Sequence, residues 1–298
     1  MPIHPETAIG AVHLTVANLD RSLRFYIDRL GFQLNSRQEG MASLGAGGHD
    51  LLVLYESPDA KAAPRTAGLY HFAILVPSRI DLARTLRQLA ILRTPMQGFS
   101  DHLVSEAIYL ADPDGNGIEV YRDRPRAEWP FVDGRLQMAT DPLDVEQLLR
   151  EADGDARRGA DPSGAAPPSV VLPDGTRIGH VHLHVSFLED TEEFYTRALG
   201  LDVMARYGGS ATFMSAGGYH HHLAANTWAG VGAPQPPKGA IGLRHFELLV
   251  PDGAARDRAA ESLQRAGVST SSEDEALLVE DPSGHVIAVA PRPPIPLR

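Results

Sequence analysis

His71 and Glu119 are the two residues of this chain whose types and placement can do chemistry together. His71 opens the strand-like run GLYHFAILVP, from Gly68, and Glu119 closes the later run LADPDGNGIEVY. A histidine at the head of one strand and a carboxylate at the end of a later one supply two thirds of a two-His, one-carboxylate metal site. That donor set leaves coordination positions open and is the one found at non-heme Fe(II) centres. A lone histidine on an apolar strand is by default a satisfied core residue, and a strand-end glutamate a rim carboxylate. His71 escapes that default because Glu119 lies in the same sequence unit. The chain has no cysteine, so a metal must be held by His, Asp or Glu, and disulfides and thiolate nucleophiles are excluded.

The unit that carries the pair is repeated. IGAVHLTVANLDRSLRFYIDRLGF, from Ile9, returns as IGHVHLHVSFLEDTEEFYTRALGL, from Ile178, and GLYHFAILVP returns as GLRHFELLVP, from Gly242. LADPDGNGIEVY returns as VEDPSGHVIAVA. Four units follow, with His13, His71, His182 and His245 at the heads of their strands. The counterpart of Glu119 in the fourth unit is Ala288, so a metal site must use unit two.

Each unit reads as strand, helix and three strands. In unit one, Ile9 to Val16 alternates as a half-buried strand. Leu19, Leu23, Tyr26, Ile27 and Leu30 then form one face of a helix over 19–30, with Gly31 placed to cap it. Strands follow near 32–38, 40–45 and 50–56. Unit two has a strand at 69–76, a helix at 78–90 and strands near 91–94, 105–111 and 117–122. Asp112-Pro-Asp-Gly-Asn-Gly makes the turn before the last strand. The segment 126–177 reads as a linker with one helix, Asp141 as N-cap and Pro142 at the first helical position; Gly154 to Pro173 is rich in Gly, Ala and Pro and reads as exposed. The third unit places its helix at 189–199 and the fourth at 253–266. The expected class is α+β, with an N-terminal domain over 1–125 and a C-terminal domain over 178–298.

The chain has 298 residues, 43% hydrophobic and 22% charged, enough for two cores in a globular protein. A net charge of -11 argues against nucleic acid or an anionic membrane as partner. No apolar run approaches a membrane span, and the N-terminus lacks the features of a secretion signal, so a cytoplasmic location is expected. A homo-oligomer is compatible with the sequence, which does not fix the oligomeric state.

The opening VHLTV…LDRSLRFYIDRLGF, the strand GLYHFAI and the turn DPDGNGIEVY resemble the vicinal oxygen chelate superfamily, over all but the linker and termini. The resemblance implies four βαβββ modules paired into two glyoxalase-like domains, each a cup of strands around a divalent metal. Fold alone does not select among its activities. Among them the extradiol ring-cleaving dioxygenases fit best, which implies Fe(II), with Mn(II) as an alternative, and a catechol-type aromatic with O2 as substrates. The same resemblance implies a catalytic tyrosine ten residues before the carboxylate, here Tyr109, a nearby His102, and a catalytic histidine from the partner unit, His221 in His221-His222-Leu223-Ala224. A glyoxalase-like isomerase or lyase would bring a second carboxylate, where this chain has Val53 and Leu223. A drug-binding protein would use an aromatic groove, for which only Trp129 and Trp228 are at hand.

The third ligand is open between His13 and His182. Unit three carries His180, His182 and His184 on one strand face and Tyr219-His220-His221-His222 further on, whereas the matching part of unit one is aliphatic. This concentration favours His182. Strand alternation places His221 on the face of Leu223, with His220 and His222 on the other; the plainer reading of that run is a polar turn.

Overall fold

The computed structural model describes residues 1–158 and 171–293. Most of the Gly/Ala/Pro-rich stretch of the linker lies outside the described residues. Unit one forms β1 (Ala8–Val16), α1 (Leu19–Asp28), β2 (Gln33–Gln38), β3 (Met41–Ala46) and β4 (His49–Glu56). Unit two forms β5 (Gly68–Leu75), α2 (Arg79–Ile91), β6 (Met96–Asp101), β7 (Ser105–Ala111) and β8 (Gly117–Asp123). The linker contributes the small hairpin β9 (Phe131–Val132) and β10 (Arg135–Leu136), then α3 (Val145–Arg158). Unit three has β11 (Arg177–His184), α4 (Leu188–Glu193) running into a π-helical turn at Phe194–Ala198, β12 (Asp202–Tyr207), β13 (Ala211–Ser215) and β14 (Leu223–Asn226). Unit four has β15 (Gly242–Val250), α5 (Gly253–Arg265), β16 (Thr270–Glu273), β17 (Ala276–Glu280) and β18 (Val286–Pro291).

The strands form two eight-stranded mixed sheets, in the orders β16-β17-β18-β15-β1-β4-β3-β2 and β12-β13-β14-β11-β5-β8-β7-β6. By contacts the chain divides into two compact units: one of 1–15, 60–70 and 179–298, the other of 16–59 and 71–178.

Strand alternation separates a core face from a site face. On β5, Phe72 and Ile74 are fully buried, and Tyr26 of α1 packs tilted beside Phe72, 6.4 Å between ring centroids. Burying an apolar side chain of this size contributes about 1.5–3 kcal/mol, which holds the helices on that face. His71, Ala73 and Leu75 take the other face. Helix ends follow local chemistry: Asn18, Ser78 and Asp252 cap α1, α2 and α5 by accepting a backbone N–H. Gly31 follows α1 at φ 82° and Gly200 follows the π-helical turn at φ 87°, where a side chain would be strained.

Two sequence expectations are corrected. The strand near 91–94 lies at Met96–Asp101, because α2 runs on to Ile91. Asp141 does not cap the linker helix: its backbone is held in an extended bridge to Asp101, and Asp144 accepts from the Gln147 N–H instead.

The Asp-Pro turns are anchored twice over. Asp112 accepts from the backbone N–H groups of Asp114 and Asn116, from the Asn116 side chain, and from the Tyr26 hydroxyl at 2.9 Å. Asp281 does the same with Ser283, with His285 through backbone and ring, and with Tyr195 at 3.0 Å. Burial raises the Asp112 carboxyl above its ordinary value despite these donors. At Asp281 burial also pushes upward, but the His285 ring and the hydrogen bonds outweigh it and hold the carboxyl below the ordinary value. Each turn fixes the entry of the strand that follows, and β8 is the strand that carries Glu119.

Candidate metal centre

His71 leaves β5 and Glu119 leaves β8, which pair in parallel with Ala73 opposite Glu119. His71 Nε2 stands 3.1 Å from Glu119 Oε2, and both side chains are buried. One donor atom each from His71, Glu119 and His180 lies within 4.8 Å of the others, a convergence of three ligand-type side chains that no other group among the described residues shows. This is a metal site, and the donor set fits a divalent ion. Two donors bound to one ion at about 2.0–2.2 Å, at roughly right angles or somewhat wider, stand about 3.0–3.4 Å apart, which brackets the His71–Glu119 separation. Two imidazoles and one carboxylate match the facial triad of non-heme iron.

The third ligand is therefore His180 and not the expected His182. The reason is in the hydrogen bonds of Asn226. Its Oδ1 accepts from the Trp228 backbone N–H at 2.9 Å, which fixes the amide orientation, and also from His184 Nδ1 at 2.7 Å. Its Nδ2 then donates to His182 Nε2 at 2.9 Å. The lone pair of His182 Nε2 is thus engaged by a buried amide, and the ring proton sits on Nδ1. The alternative, His13, stacks on His245 with ring centroids 3.8 Å apart and faces Glu247 Oε1 at 3.5 Å, in the other sheet.

A count to the helix cap would have found His180. His71 lies seven residues before the cap Ser78, His245 seven before Asp252, and His180 seven before Phe187. His13 and His182 lie five before Asn18 and Phe187. His182 is thus the counterpart of Ala73 and Glu247. Accordingly His182 pairs with Ala224, as Ala73 pairs with Glu119 and Glu247 with Ala288. The position matching Glu119 in unit three is Ala224 and not Leu223, and it still lacks a carboxylate.

Tyr109 lies beside the pair, opposite Glu119 in the β7–β8 register, with its ring centroid 5.7 Å from that of His71. Its hydroxyl is 2.6 Å from His102 Nε2, and His102 Nδ1 is 2.6 Å from the Ala139 carbonyl. A carbonyl only accepts, so Nδ1 carries a proton; in the neutral ring Nε2 accepts from Tyr109. The turn between β6 and β7 holds His102, whose N–H donates to the Ser105 carbonyl, with Leu103 at φ 68°. Ala139, in the linker, was not foreseen. Below Tyr109 lies the buried apolar cluster of Ala73, Leu75, Ala107 and Tyr121. Outside this face Glu106 bonds Arg79 and Arg122. Burial pushes its carboxyl up, and the two guanidinium groups outweigh that and hold it below the ordinary value.

His221 packs on His180 with ring centroids 4.1 Å apart. It reaches that face although alternation would not take it there, because β14 starts only at Leu223 and residues 219–222 are irregular. His220 does not point away: it is fully buried, with Nδ1 2.8 Å from His221 Nδ1. His222 Nδ1 meets Ser215 Oγ at 3.0 Å. The run is a packed histidine cluster and not an exposed polar turn.

Residues 8–120 and 177–289 match the model of the glyoxalase/bleomycin resistance protein/dioxygenase superfamily, and the chain belongs to that family. Within it, the chain is 44% identical over 285 residues to a catechol-2,3-dioxygenase of Bacillus subtilis, covering 94% of this chain and 95% of that one. Among solved structures, a candidate dioxygenase from Bacillus subtilis superposes with a TM-score of 0.64 at 15% identity, over 96% of this chain and 86% of that one. Glyoxalase I from Zea mays superposes with a TM-score of 0.55 at 15% identity, over 95% and 92%. These two show the shared fold alone. No described helix is long and apolar enough to cross a membrane.

Proposed function

We propose that the chain is an Fe(II)-dependent extradiol dioxygenase that opens a catechol-type ring with O2. The observation that carries this reading is the buried His71–Glu119–His180 group with the Tyr109–His102 hydrogen bond beside it; the 44% identical catechol-2,3-dioxygenase supports it. When bound, Fe(II), or Mn(II) in its place, supplies open positions for both diol oxygens and for O2 and favours loss of the diol protons.

The chain's own groups then handle protons and water. Tyr109 donates its hydroxyl proton to His102, which leaves its oxygen to accept from a diol hydroxyl. A diol proton moves to Tyr109 as the Tyr109 proton moves to His102 Nε2, and the resulting imidazolium keeps its Nδ1–H on the Ala139 carbonyl. His221, against His180, is the acid/base group on the other side, and the hydrogen bond to His220 orients its ring. The apolar cluster under Tyr109 keeps water from that side of the reacting ring.

The test is anaerobic reconstitution with Fe(II) or Mn(II), followed by a panel of catechols in air. Yellow ring-fission product is expected with at least one diol and one of the two metals. A fully metallated protein that consumes no diol overturns the proposal.

A further inference from the structure

An unbroken series of rings leads from the ligand His180 to the surface. His221 lies 4.1 Å from His180, Phe213 5.1 Å from His221, and His182 5.9 Å from Phe213, between centroids. Beyond His182 stand Tyr70 at 4.9 Å and Trp228 at 5.4 Å, themselves T-shaped at 5.2 Å. The series runs from buried His180, 1% exposed, to Tyr70 at 39% and Trp228 at 47%. His182, Ala224 and Phe213 are register partners across β11, β14 and β13 and so share a face. On β11 that face is also the His180 face.

We infer that Phe213, His182, Tyr70 and Trp228 form a specificity wall that receives a flat, uncharged ring substituent on the diol. The inference rests on the dioxygenase reading and adds the substrate class to it. Two polar tips of the wall are committed elsewhere: His182 Nε2 accepts from Asn226, and Trp228 Nε1 donates to Ser210 Oγ at 3.2 Å. Ring faces and edges are therefore what the wall offers, and no Lys, Arg, Asp or Glu is among its members. Rings so arranged stack offset or edge-to-face on another aromatic group. A carboxylated substituent would find no cation in the wall. An alkyl chain would lose the quadrupole contacts.

Two measurements test this. The first compares kcat/KM for catechol and for a catechol bearing a phenyl group beside one hydroxyl. Wild type is expected to favour the phenyl compound, and Trp228→Ala to cut that preference by about 10-fold, equivalent to one well-placed ring contact; Trp228→Phe should restore part of it. A Trp228→Ala protein that loses both activities in the same proportion overturns the wall. The second uses fluorescence in metal-free Trp129→Phe protein, where Trp228 is the remaining tryptophan. The phenyl compound is expected to quench it at lower concentration than catechol does, and equal quenching, or none, overturns the inference. If no diol is turned over at all, the dioxygenase reading fails while fluorescence still decides the wall.

Discussion

Replacing His180 and His182 one at a time separates the metal site from its neighbour two residues along the same strand. His180→Ala removes one of three converging donors, so stoichiometric metal should be lost. His182→Ala removes the acceptor of the Asn226 side-chain amide, and Asn226 is fully buried. A buried donor left without its partner costs about 1–3 kcal/mol. In a chain of this size that lowers Tm by roughly 2–4 °C for each kcal/mol, so a fall of about 2–12 °C is expected. The two variants should therefore fail in different ways. Elemental analysis after Fe(II) or Zn(II) reconstitution should find the metal missing from His180→Ala and present in His182→Ala. Thermal unfolding should be run on metal-free protein, so that lost metal does not itself lower Tm; there the drop should be seen in His182→Ala. Metal retained by His180→Ala and lost from His182→Ala would refute the assignment and with it the tautomer argument at Asn226.

Three further outcomes are expected. His221→Ala should keep its metal and bind diol, while single turnovers slow by about 10²–10⁴-fold; metal loss would make His221 a ligand, and unchanged turnover would remove it from the reaction. Tyr26→Phe and Tyr195→Phe, which each strip a hydroxyl from a buried aspartate, should cost about 1–3 kcal/mol in denaturant titrations; a cost near zero in both would mean that the turns do not depend on these bonds. The His245 ring, pushed down to about 4 first by burial and then by His13, resists protonation in the folded state. Glu247 opposes that shift, and Arg244 adds to it. Because the folded pKa lies below the unfolded value, its contribution is intact above about pH 6.5 and is lost as pH falls from there toward 4. The ceiling is about 3 kcal/mol, and about half of that remains after allowance for solvent at a partly exposed ring. His245→Gln should flatten the stability profile across that window, and an unchanged slope would show that the ring does not report there.

What the sequence disclosed and what it hid have a common physical origin. The repeat fixed the order of strands and helices because alternation, cap residues and Gly-containing turns are local and are written afresh in each unit. His71 and Glu119 were legible for the same reason, since both lie in unit two and their strands pair directly. The third ligand comes from another unit, and only register could assign it. Aligning unit three on unit one equated His182 with His13 and, through it, with His71, whereas what positions a side chain on these strands is its distance from the helix that follows. Asn18, Ser78, Phe187 and Asp252 mark those helix starts.

The same register explains why one sheet holds the chemistry and the other does not. Seven residues before the cap, units two, three and four carry His71, His180 and His245, but unit one carries Ala11. Five residues before it, unit four carries Glu247, which turns its carboxylate to the Ala11 N–H at 2.9 Å and to His13. The sheet of β1 and β15 therefore has His13 on β1 and both His245 and Glu247 on β15, but Ala288 stands where the outgoing strand should supply a carboxylate. His13, His245 and Glu247 come from β1 and β15 alone, with His245 stacked on His13 and Glu247 beside His13, and among the described residues they do not converge as His71, Glu119 and His180 do. In the sheet of β5 and β11 the donors come from three strands, and only that arrangement lets two imidazoles and a carboxylate surround one position.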